Sequence, residues 1–141
     1  MSDSLDFADP RLFLPKQPFV QELGITIHSV VPGQVIVDMP FAERFSTPPS
    51  SFPASMVGIL GDVAAVSSCL SKLPNGWAAA TLDYTIKMTG RAQGEALRAK
   101  GRVMQDGKTT SVGLADVFAL LNGDEIHCGV VIATTRNFQL R

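Results

Sequence analysis

The chain has 141 residues, 45% of them hydrophobic and 18% charged, and its formal net charge is −1. This length suits one domain with a buried core, and the apolar content excludes an intrinsically disordered chain. A charge so close to zero argues against a general nucleic-acid-binding protein.

The start of the sequence carries no signal for export. The stretch MSDSLDFADP is acidic and lacks the apolar core of a secretion signal. No apolar run reaches the roughly 18 residues that span a bilayer. We therefore expect a cytoplasmic protein with no membrane partner.

Residues 1–16 are polar and interrupted by prolines, which is typical of a flexible N-terminal arm. Residues 17–141 form a single predicted domain, and no internal repeat is present. The domain starts with a short helical turn at PFVQELG, residues 18–24.

A hairpin, a loop and a helix are predicted next. Apolar and polar residues alternate on both sides of Pro32-Gly33, which predicts a β-hairpin over residues 25–39. Prolines and hydroxyl residues dominate residues 40–53, PFAERFSTPPSSFP, which favours a loop. Residues 54–71 are long and apolar enough for a buried helix.

The rest of the chain reads as strands. Four segments have strand composition: WAAATLDYTIKM, EALRAKGRVMQ, TTSVGLADVFALL and EIHCGVVIATT. Asp106-Gly107 and Asn122-Gly123 are strong hairpin signals, so we expect the last three strands to form an antiparallel meander. The predicted fold class is therefore α+β, with the long helix covering an antiparallel sheet.

Asp62 is the one charged residue in the apolar stretch MVGILGDVAAV, residues 56–66. It lies about two turns inside the predicted helix, beyond the free amides that a capping residue would satisfy. It is either a structural acid, bonded to a loop or an arginine of its own chain, or a functional one. A desolvated carboxylate beside a cavity has the properties of a general base or nucleophile.

The sequence shows neither a disulfide motif nor a metal-binding motif. Cys69 and Cys128 lie far apart in apolar stretches, without Cys-x-x-Cys spacing. This favours buried free thiols over a disulfide. No metal-ligand spacing occurs, so we expect no metal site.

The order of hairpin, loop, apolar helix and meander, with GILGDVAA in the helix, resembles the hotdog-fold acyl-CoA thioesterases of the phenylacetate-degradation (PaaI-like) group. In that family a His-Gly-Gly triplet opens the central helix, and an aspartate follows nine positions after the histidine. LGDVA matches the aspartate motif and places Asp62 on the catalytic acid, whereas the triplet here reads Pro-Ala-Ser, residues 53–55. TLDYTIKM, RAQGE and GRVMQDGKTT resemble later family elements.

The resemblance implies a hotdog fold, an antiparallel β-sheet wrapped around one long central helix, and hydrolysis of acyl-CoA or aryl-CoA thioesters. Asp62 would be the general base or nucleophile, and the amide of Ala54 would hold the oxyanion. Thr81 would orient the water, although an ordinary strand threonine is an equal alternative. Pro53 and Ser55, in the altered triplet, would contact the substrate.

The resemblance also implies an assembly. In these folds the acid and the oxyanion donor come from different subunits, so we expect a homodimer, or a homotetramer made of two dimers. An apolar helix that one sheet cannot cover on every side fits this expectation. The segments SFPASM, FVQEL and residues 41–45 are expected to shape the acyl pocket.

Coenzyme A carries phosphates, so its binding needs local positive charge. Residues 1–86 carry 4 basic and 8 acidic side chains, whereas residues 87–141 carry 8 and 5. Arg91 and Lys108 are the leading candidates for these contacts, with Arg102 behind them. No cofactor is expected apart from CoA as part of the substrate.

Several residues have an ordinary structural explanation. Arg98, Lys100 and Arg102 alternate along one predicted strand, which is typical of a solvated strand face. His28 and His127 lie in alternating strands, away from the acid motif, and are predicted to be ordinary strand residues.

Other functions were compared with hydrolysis. The chain has no Gly-x-Ser-x-Gly elbow and no phosphate-binding glycine pattern. Two alternatives stay open: a non-catalytic acyl-CoA-binding hotdog protein, which the missing His-Gly-Gly would fit, and a dimeric domain of unrelated use.

Overall fold

The computed structural model describes residues 8–141, and its main element is a six-stranded antiparallel sheet. The strands are β1 (Thr26–Val31), β2 (Gln34–Pro40), β3 (Trp77–Met88), β4 (Ala96–Gln105), β5 (Thr110–Leu121) and β6 (Asp124–Gln139). Their spatial order is β1-β2-β4-β5-β6-β3. The predicted hairpin and the predicted meander are both confirmed. β3 pairs with β6 and forms one edge of the sheet.

In the described part of the chain, three α-helices accompany the sheet: α1 (Pro10–Phe13), α2 (Pro18–Leu23) and α3 (Ala54–Leu70). The predicted turn at residues 18–24 and the predicted helix at residues 54–71 are confirmed as α2 and α3. α3 packs against β2, β3, β4, β5 and β6. One layer of sheet and one long helix therefore enclose the core, as the α+β prediction states.

The two glycine hairpins differ in their connections. Asn122 and Gly123 both have positive φ, 52° and 84°, which is the conformation of a two-residue type I′ turn. β4 and β5 are joined by the longer loop 106–109. The pairing of these strands also shifts between Val103 and Gln105, so the Asp-Gly signal predicted the hairpin but not the length of its turn.

The core lies between α3 and the inner face of the sheet. Side chains that point to α3 alternate along each strand and are almost fully buried, such as Val35 and Val37 on β2 and Leu97 and Ala99 on β4. Small residues bring helix and sheet close together. A Cβ on Gly61 would lie 2.3 Å from Cγ2 of Val131, so this position accepts only glycine without a shift of its neighbours.

The predicted flexible arm is only partly within the described residues, since residues 1–7 lie outside them. From residue 8 onward the chain forms α1 and then a 3-10 turn at Leu14–Lys16. Leu14 is buried in the core. The flexibility of the arm and the division into arm and domain stay predictions.

The predicted loop over residues 40–53 contains one 3-10 turn, Glu43–Phe45, and otherwise lacks regular helix. Its end is tied to the β3–β4 connection, because the amide of Phe52 donates a 2.7 Å hydrogen bond to the carbonyl of Ala92. This bond lies directly before Pro53, the N-cap residue of α3.

The remaining features concern cysteines and membranes. Neither cysteine forms a disulfide within the described residues: Cys69 and Cys128 are buried free thiols, as predicted. Burial raises the pKa of each to about 11, so both are protonated at neutral pH. Within residues 8–141, no helix has the length and apolarity needed to cross a bilayer.

Candidate active site

Asp62 lies in the middle of α3 on the helix face that the sheet covers least. Ile59, Asp62 and Val66 are half-buried, whereas most of their helical neighbours are fully buried. Spacings of three and four residues place these three side chains on one stripe. The carboxylate is therefore at the boundary between the core and the outside of this protomer.

The hydroxyl of Thr81, on β3, donates a 3.0 Å hydrogen bond to Oδ1 of Asp62. Burial disfavours the ionised carboxylate and raises the pKa of Asp62 above its ordinary value. The bond from Thr81 acts in the opposite direction but is the smaller effect. Thr81 and Asp62 were both predicted as site residues, and the structure brings them together.

The structural alternative for Asp62 required a loop or an arginine as partner. Among residues 8–141, no ion pair includes Asp62. Its hydrogen bond comes from a strand hydroxyl. A carboxylate that is partly desolvated and has no cation beside it is better suited to chemistry than to holding the fold together.

A cleft of about 250 Å³ opens beside Asp62. Its walls come from the N-terminal helical segment, the C-terminal half of α3 and the start of β3. They are Phe13, Leu14, Gln17, Phe19, Asp62, Val63, Val66, Ser67, Leu70, Ala79 and Thr81. Most of this surface is apolar, with the carboxylate and the Thr81 hydroxyl at one place in the wall, so the cleft can accept an apolar group next to a reactive acid.

The start of α3 holds the predicted oxyanion donor. Pro53 is the N-cap, and its carbonyl accepts bonds from the amides of Met56 and Val57. The amides of Ala54 and Ser55 precede the first intrahelical donor, and both residues are exposed. Asp62 follows Ala54 by eight positions, which is about 12 Å along the helix axis.

Arg91 lies near the start of α3. It belongs to the β3–β4 connection, which the Phe52–Ala92 bond ties to the segment before the helix. Gln93 strengthens this tie through a 2.9 Å bond to the hydroxyl of Ser50, and Arg91 donates to Gln93.

The other two predicted cations lie elsewhere in the protomer. Arg102 follows the alternation of β4 onto the sheet face opposite α3. Lys108 lines a separate cleft with Lys72, Trp77 and Asp106. Within one protomer, neither of them lies at the Asp62 cleft.

A polar network covers the sheet face away from α3. Arg98 makes two bonds of 2.8 and 2.9 Å to Asp38, and Lys100 lies 2.7 Å from Glu125. His28 lies 3.3 Å from Arg98. In the Arg98–Asp38 and Lys100–Glu125 pairs the opposite charges neutralise each other, which agrees with the predicted solvated face.

His127 belongs to the same outer face. It lies 2.9 Å from Asp116, and its other ring nitrogen is within hydrogen-bond distance of Thr89. No described cleft is lined by these residues. Both histidines are strand-associated residues, as predicted.

Sequence reasoning missed part of the cleft. FVQEL was expected to shape the pocket, and its Phe19 does line the cleft. Phe13 and Leu14 were assigned to the arm, although the apolar run Leu12-Phe13-Leu14 was a signal that this part packs on the domain. SFPASM and residues 41–45 line a different, smaller space around Phe45, Phe52 and Met56.

A metal site has no candidate here. Within residues 8–141, no three His, Cys, Asp or Glu side chains are grouped closely enough to hold a metal ion.

No protein-family model matches the sequence, and no curated protein is significantly similar to it. Solved structures do resemble it. A thioesterase family protein from Silicibacter pomeroyi superposes with a TM-score of 0.90 at 24% identity, over 93% of this chain and 96% of that one. A thioesterase from Haemophilus influenzae gives 0.81 at 17% identity, over 99% and 94%.

The PaaI protein from the phenylacetic acid degradation operon of E. coli superposes with a TM-score of 0.81 at 21% identity, over 98% of this chain and 100% of that one. All three likenesses extend over nearly the full length of both chains. Together with the sheet order and the single long helix, they show that the chain has the hotdog fold.

Proposed function

We propose that the protein hydrolyses acyl-CoA or aryl-CoA thioesters to the free acid and CoA. The observation that carries this proposal is the half-buried carboxylate of Asp62. Burial raises its pKa, Thr81 orients it, and it faces an apolar cleft. The fold shared with thioesterases from two bacteria supports the same reaction class.

In the simpler form of the reaction, Asp62 is a general base. It takes a proton from a water whose oxygen attacks the thioester carbon, and the carbonyl oxygen becomes an oxyanion. When the intermediate collapses, the carbon–sulfur bond breaks, and the CoA thiolate leaves and is protonated. In the second form, Asp62 attacks directly and forms a mixed anhydride, which water then hydrolyses.

A single turnover in ¹⁸O-labelled water tests for a nucleophilic Asp62 whose anhydride is hydrolysed at the enzyme carboxyl. If Asp62 is a base, the label appears in the released acid only. If Asp62 is the nucleophile and water attacks the enzyme-bound carboxyl, the label appears in the side chain of Asp62. Mass spectrometry of the peptide that contains residues 56–66 measures this directly.

The oxyanion donor is proposed to be the amide of Ala54 of the partner subunit. About 12 Å of helix separates Ala54 from Asp62 in one chain, so the two cannot contact one thioester group within a protomer. An amide at a helix N-terminus suits an oxyanion, because the helix dipole is positive there. Pro53 and Ser55, beside this amide, would contact the substrate.

The sheet edge supports a homodimer. β3 is an edge strand of 12 residues that leaves Leu82, Tyr84 and Met88 41 to 59% exposed. A long apolar edge strand is a template for pairing with a second chain. Pairing of two β3 edges would bring two α3 helices side by side, and two such dimers would form the proposed homotetramer.

Arg91 is the favoured contact for the CoA phosphates, because it lies at the end of the protomer where α3 begins. Lys108 and Arg102 are the further candidates for contacts with CoA. The reaction needs no cofactor besides the CoA of the substrate.

Thiol release from a panel of acyl-CoA and aryl-CoA compounds tests the proposal. The wild type should show turnover, and Asp62→Asn should lose about 10² to 10⁴-fold in kcat, the range for a positioned acid or base. Asp124→Asn, at the exposed β5–β6 turn, is the matched control and should keep full activity.

Two outcomes would contradict the proposal, the first its reaction and the second its assignment of Asp62. CoA thioesters that bind tightly without turnover would show a non-catalytic acyl-CoA-binding protein, the alternative that the Pro-Ala-Ser triplet favours. Full activity in Asp62→Asn would show that the acid is elsewhere.

A further inference from the structure

A second cleft of about 190 Å³ adjoins the cleft beside Asp62. Its walls are Phe13, Leu70, Ala78, Ala79, Phe138 and Leu140. Three of these residues, Phe13, Leu70 and Ala79, also line the first cleft. The two spaces are therefore neighbours with a common wall, and Phe13 contributes the largest side chain to that wall.

The chemistry of the second cleft is uniform. All six lining side chains are hydrocarbon, whereas the first cleft also contains Asp62, Gln17, Ser67 and Thr81. A space lined in this way suits an alkyl or aryl group and gives no partner to phosphate, sugar or amide groups. It lies toward the C-terminal end of α3, away from Ala54 and Arg91.

Phe13 is held in position by its neighbours along the chain. The side chain of Asp9 accepts a bond from the amide of Arg11 at the start of α1, and the guanidinium of Arg11 donates a 2.7 Å bond to the carbonyl of Val30 on β1. Directly after Phe13, Leu14 is only 4% exposed. The wall is thus anchored on both sides.

We propose that the first cleft binds the acyl group, that the second cleft is a subsite for the far end of longer acyl chains, and that Phe13 limits access to it. This inference rests on the proposed thioesterase function and names its substrate class. A cavity of about 150 Å³ with apolar walls can bind benzene. The first cleft, at about 250 Å³, therefore suits an aryl or medium-length acyl group, and Phe13 sets this limit.

The expected effect can be stated per methylene group. Each methylene that moves from water into an apolar site improves kcat/KM by about fourfold, provided that the bound chain keeps its position at Asp62. In the wild type, kcat/KM should rise along a series from butanoyl-CoA to palmitoyl-CoA and then stop rising where the chain meets Phe13. In Phe13→Ala, the rise should continue for about two more methylenes, which is about 16-fold on the longest chains.

Two further variants distinguish a specific effect of Phe13 on access to the second cleft from a general loss of packing. Phe13→Leu keeps an apolar side chain on the core and should give an intermediate optimum. Phe13→Ala/Phe138→Trp fills the second cleft from its far wall and should return the optimum toward that of the wild type. Phe19→Ala enlarges only the first cleft and is the matched control, since it should not extend the series to the same length.

Binding in an inactive background keeps the test independent of hydrolysis. The dissociation constants of the same acyl-CoA series are measured by calorimetry with Asp62→Asn and with Asp62→Asn/Phe13→Ala. If the protein binds the series but does not hydrolyse it, the proposed reaction is wrong while the subsite is still tested. Equal chain-length profiles with and without Phe13, in folded variants, would overturn the subsite and the role of Phe13.

Discussion

The Thr81 hydroxyl on β3 lies 3.0 Å from Oδ1 of Asp62 on α3 and donates to it. The bond joins the edge strand of the sheet to the half-buried stripe of the helix. A donor to an ionised carboxylate stabilises the ion, so Thr81 partly offsets the effect of burial on the pKa of Asp62.

Thr81→Val should therefore move the acid limb of the kcat/KM profile to higher pH. Valine has nearly the same shape but no hydroxyl, so the carboxylate loses the bond that lowers its pKa, and less of it is ionised at a given pH. Thr81→Ser keeps the donor and should leave the limb close to its wild-type position. The proposed role is wrong if valine and serine give the same profile.

Asp62→Asn should make the fold more stable at neutral pH. The pKa of Asp62 in the folded protein is above the ordinary value of 3.8. The stability that the protonated carboxyl of Asp62 contributes to the fold is therefore fully present below pH 3.8. It is lost as the pH rises through the pKa of the folded protein. Asparagine never ionises and can still accept the bond from Thr81.

Chemical denaturation at two pH values measures this effect. At pH 7 the variant should unfold at higher denaturant concentration than the wild type, and at about pH 3 the two should coincide. A variant that is less stable at pH 7 would show that the charged form of Asp62 supports the fold.

Two inactive variants should restore activity when mixed. Ala54→Pro removes the proposed oxyanion amide, and proline is tolerated at the first position of a helix. In a dimer that contains one Ala54→Pro chain and one Asp62→Asn chain, one of the two sites has both groups intact. After unfolding and refolding an equal mixture, about a quarter of wild-type activity should return, because half of the dimers are mixed. No recovery would contradict the proposal that the amide of Ala54 in one subunit acts with Asp62 of the other.

Leu82→Glu should separate the protomers. Leu82 is 59% exposed on the edge strand β3, and a charge there opposes pairing with a second apolar edge. Sedimentation should show a smaller species, with the far-ultraviolet spectrum of the fold retained and activity lost. Val31→Glu is the matched control, since Val31 is 52% exposed on β1 at the opposite edge.

Gly61→Ala should destabilise the fold by about 1 to 3 kcal/mol, the usual cost of an added methyl group in a full core. The new Cβ would lie 2.3 Å from Cγ2 of Val131. In Gly61→Ala/Val131→Ala the clash is removed, so the double variant should lose less stability than the two single variants together. Additive losses would show that the helix moves away from the sheet instead.

Local patterns predicted most of the fold. Asn122-Gly123 marks its turn because both residues adopt positive φ, and α3 was visible as an apolar run with one acid. The place of β3 beside β6 was not predicted. That pairing joins Trp77 to Gln139, and contacts so distant along the chain leave no local signal in either segment.

The residues of the candidate site were also predicted only in part from the sequence. Asp62 stood out because a lone carboxylate in an apolar helix is costly without a purpose. Thr81 was placed by resemblance, and only the structure shows its bond to the acid. Phe13 was missed because polar and proline residues around it made the arm look unstructured, although the next residue, Leu14, is buried in the core.

The walls beside Asp62 come from two independent parts of the chain. Phe13 and Phe19 belong to the short helical segment before the first strand, whereas Asp62 and Thr81 belong to the helix–sheet framework. Phe13, Gln17 and Phe19 line the cleft and lie outside the core cluster, so substitutions at these positions can reshape the cleft, whereas Leu14 and Val20 of the same segment are part of the core. Engineered libraries restricted to these three positions would therefore diversify substrate preference on an unchanged reaction centre.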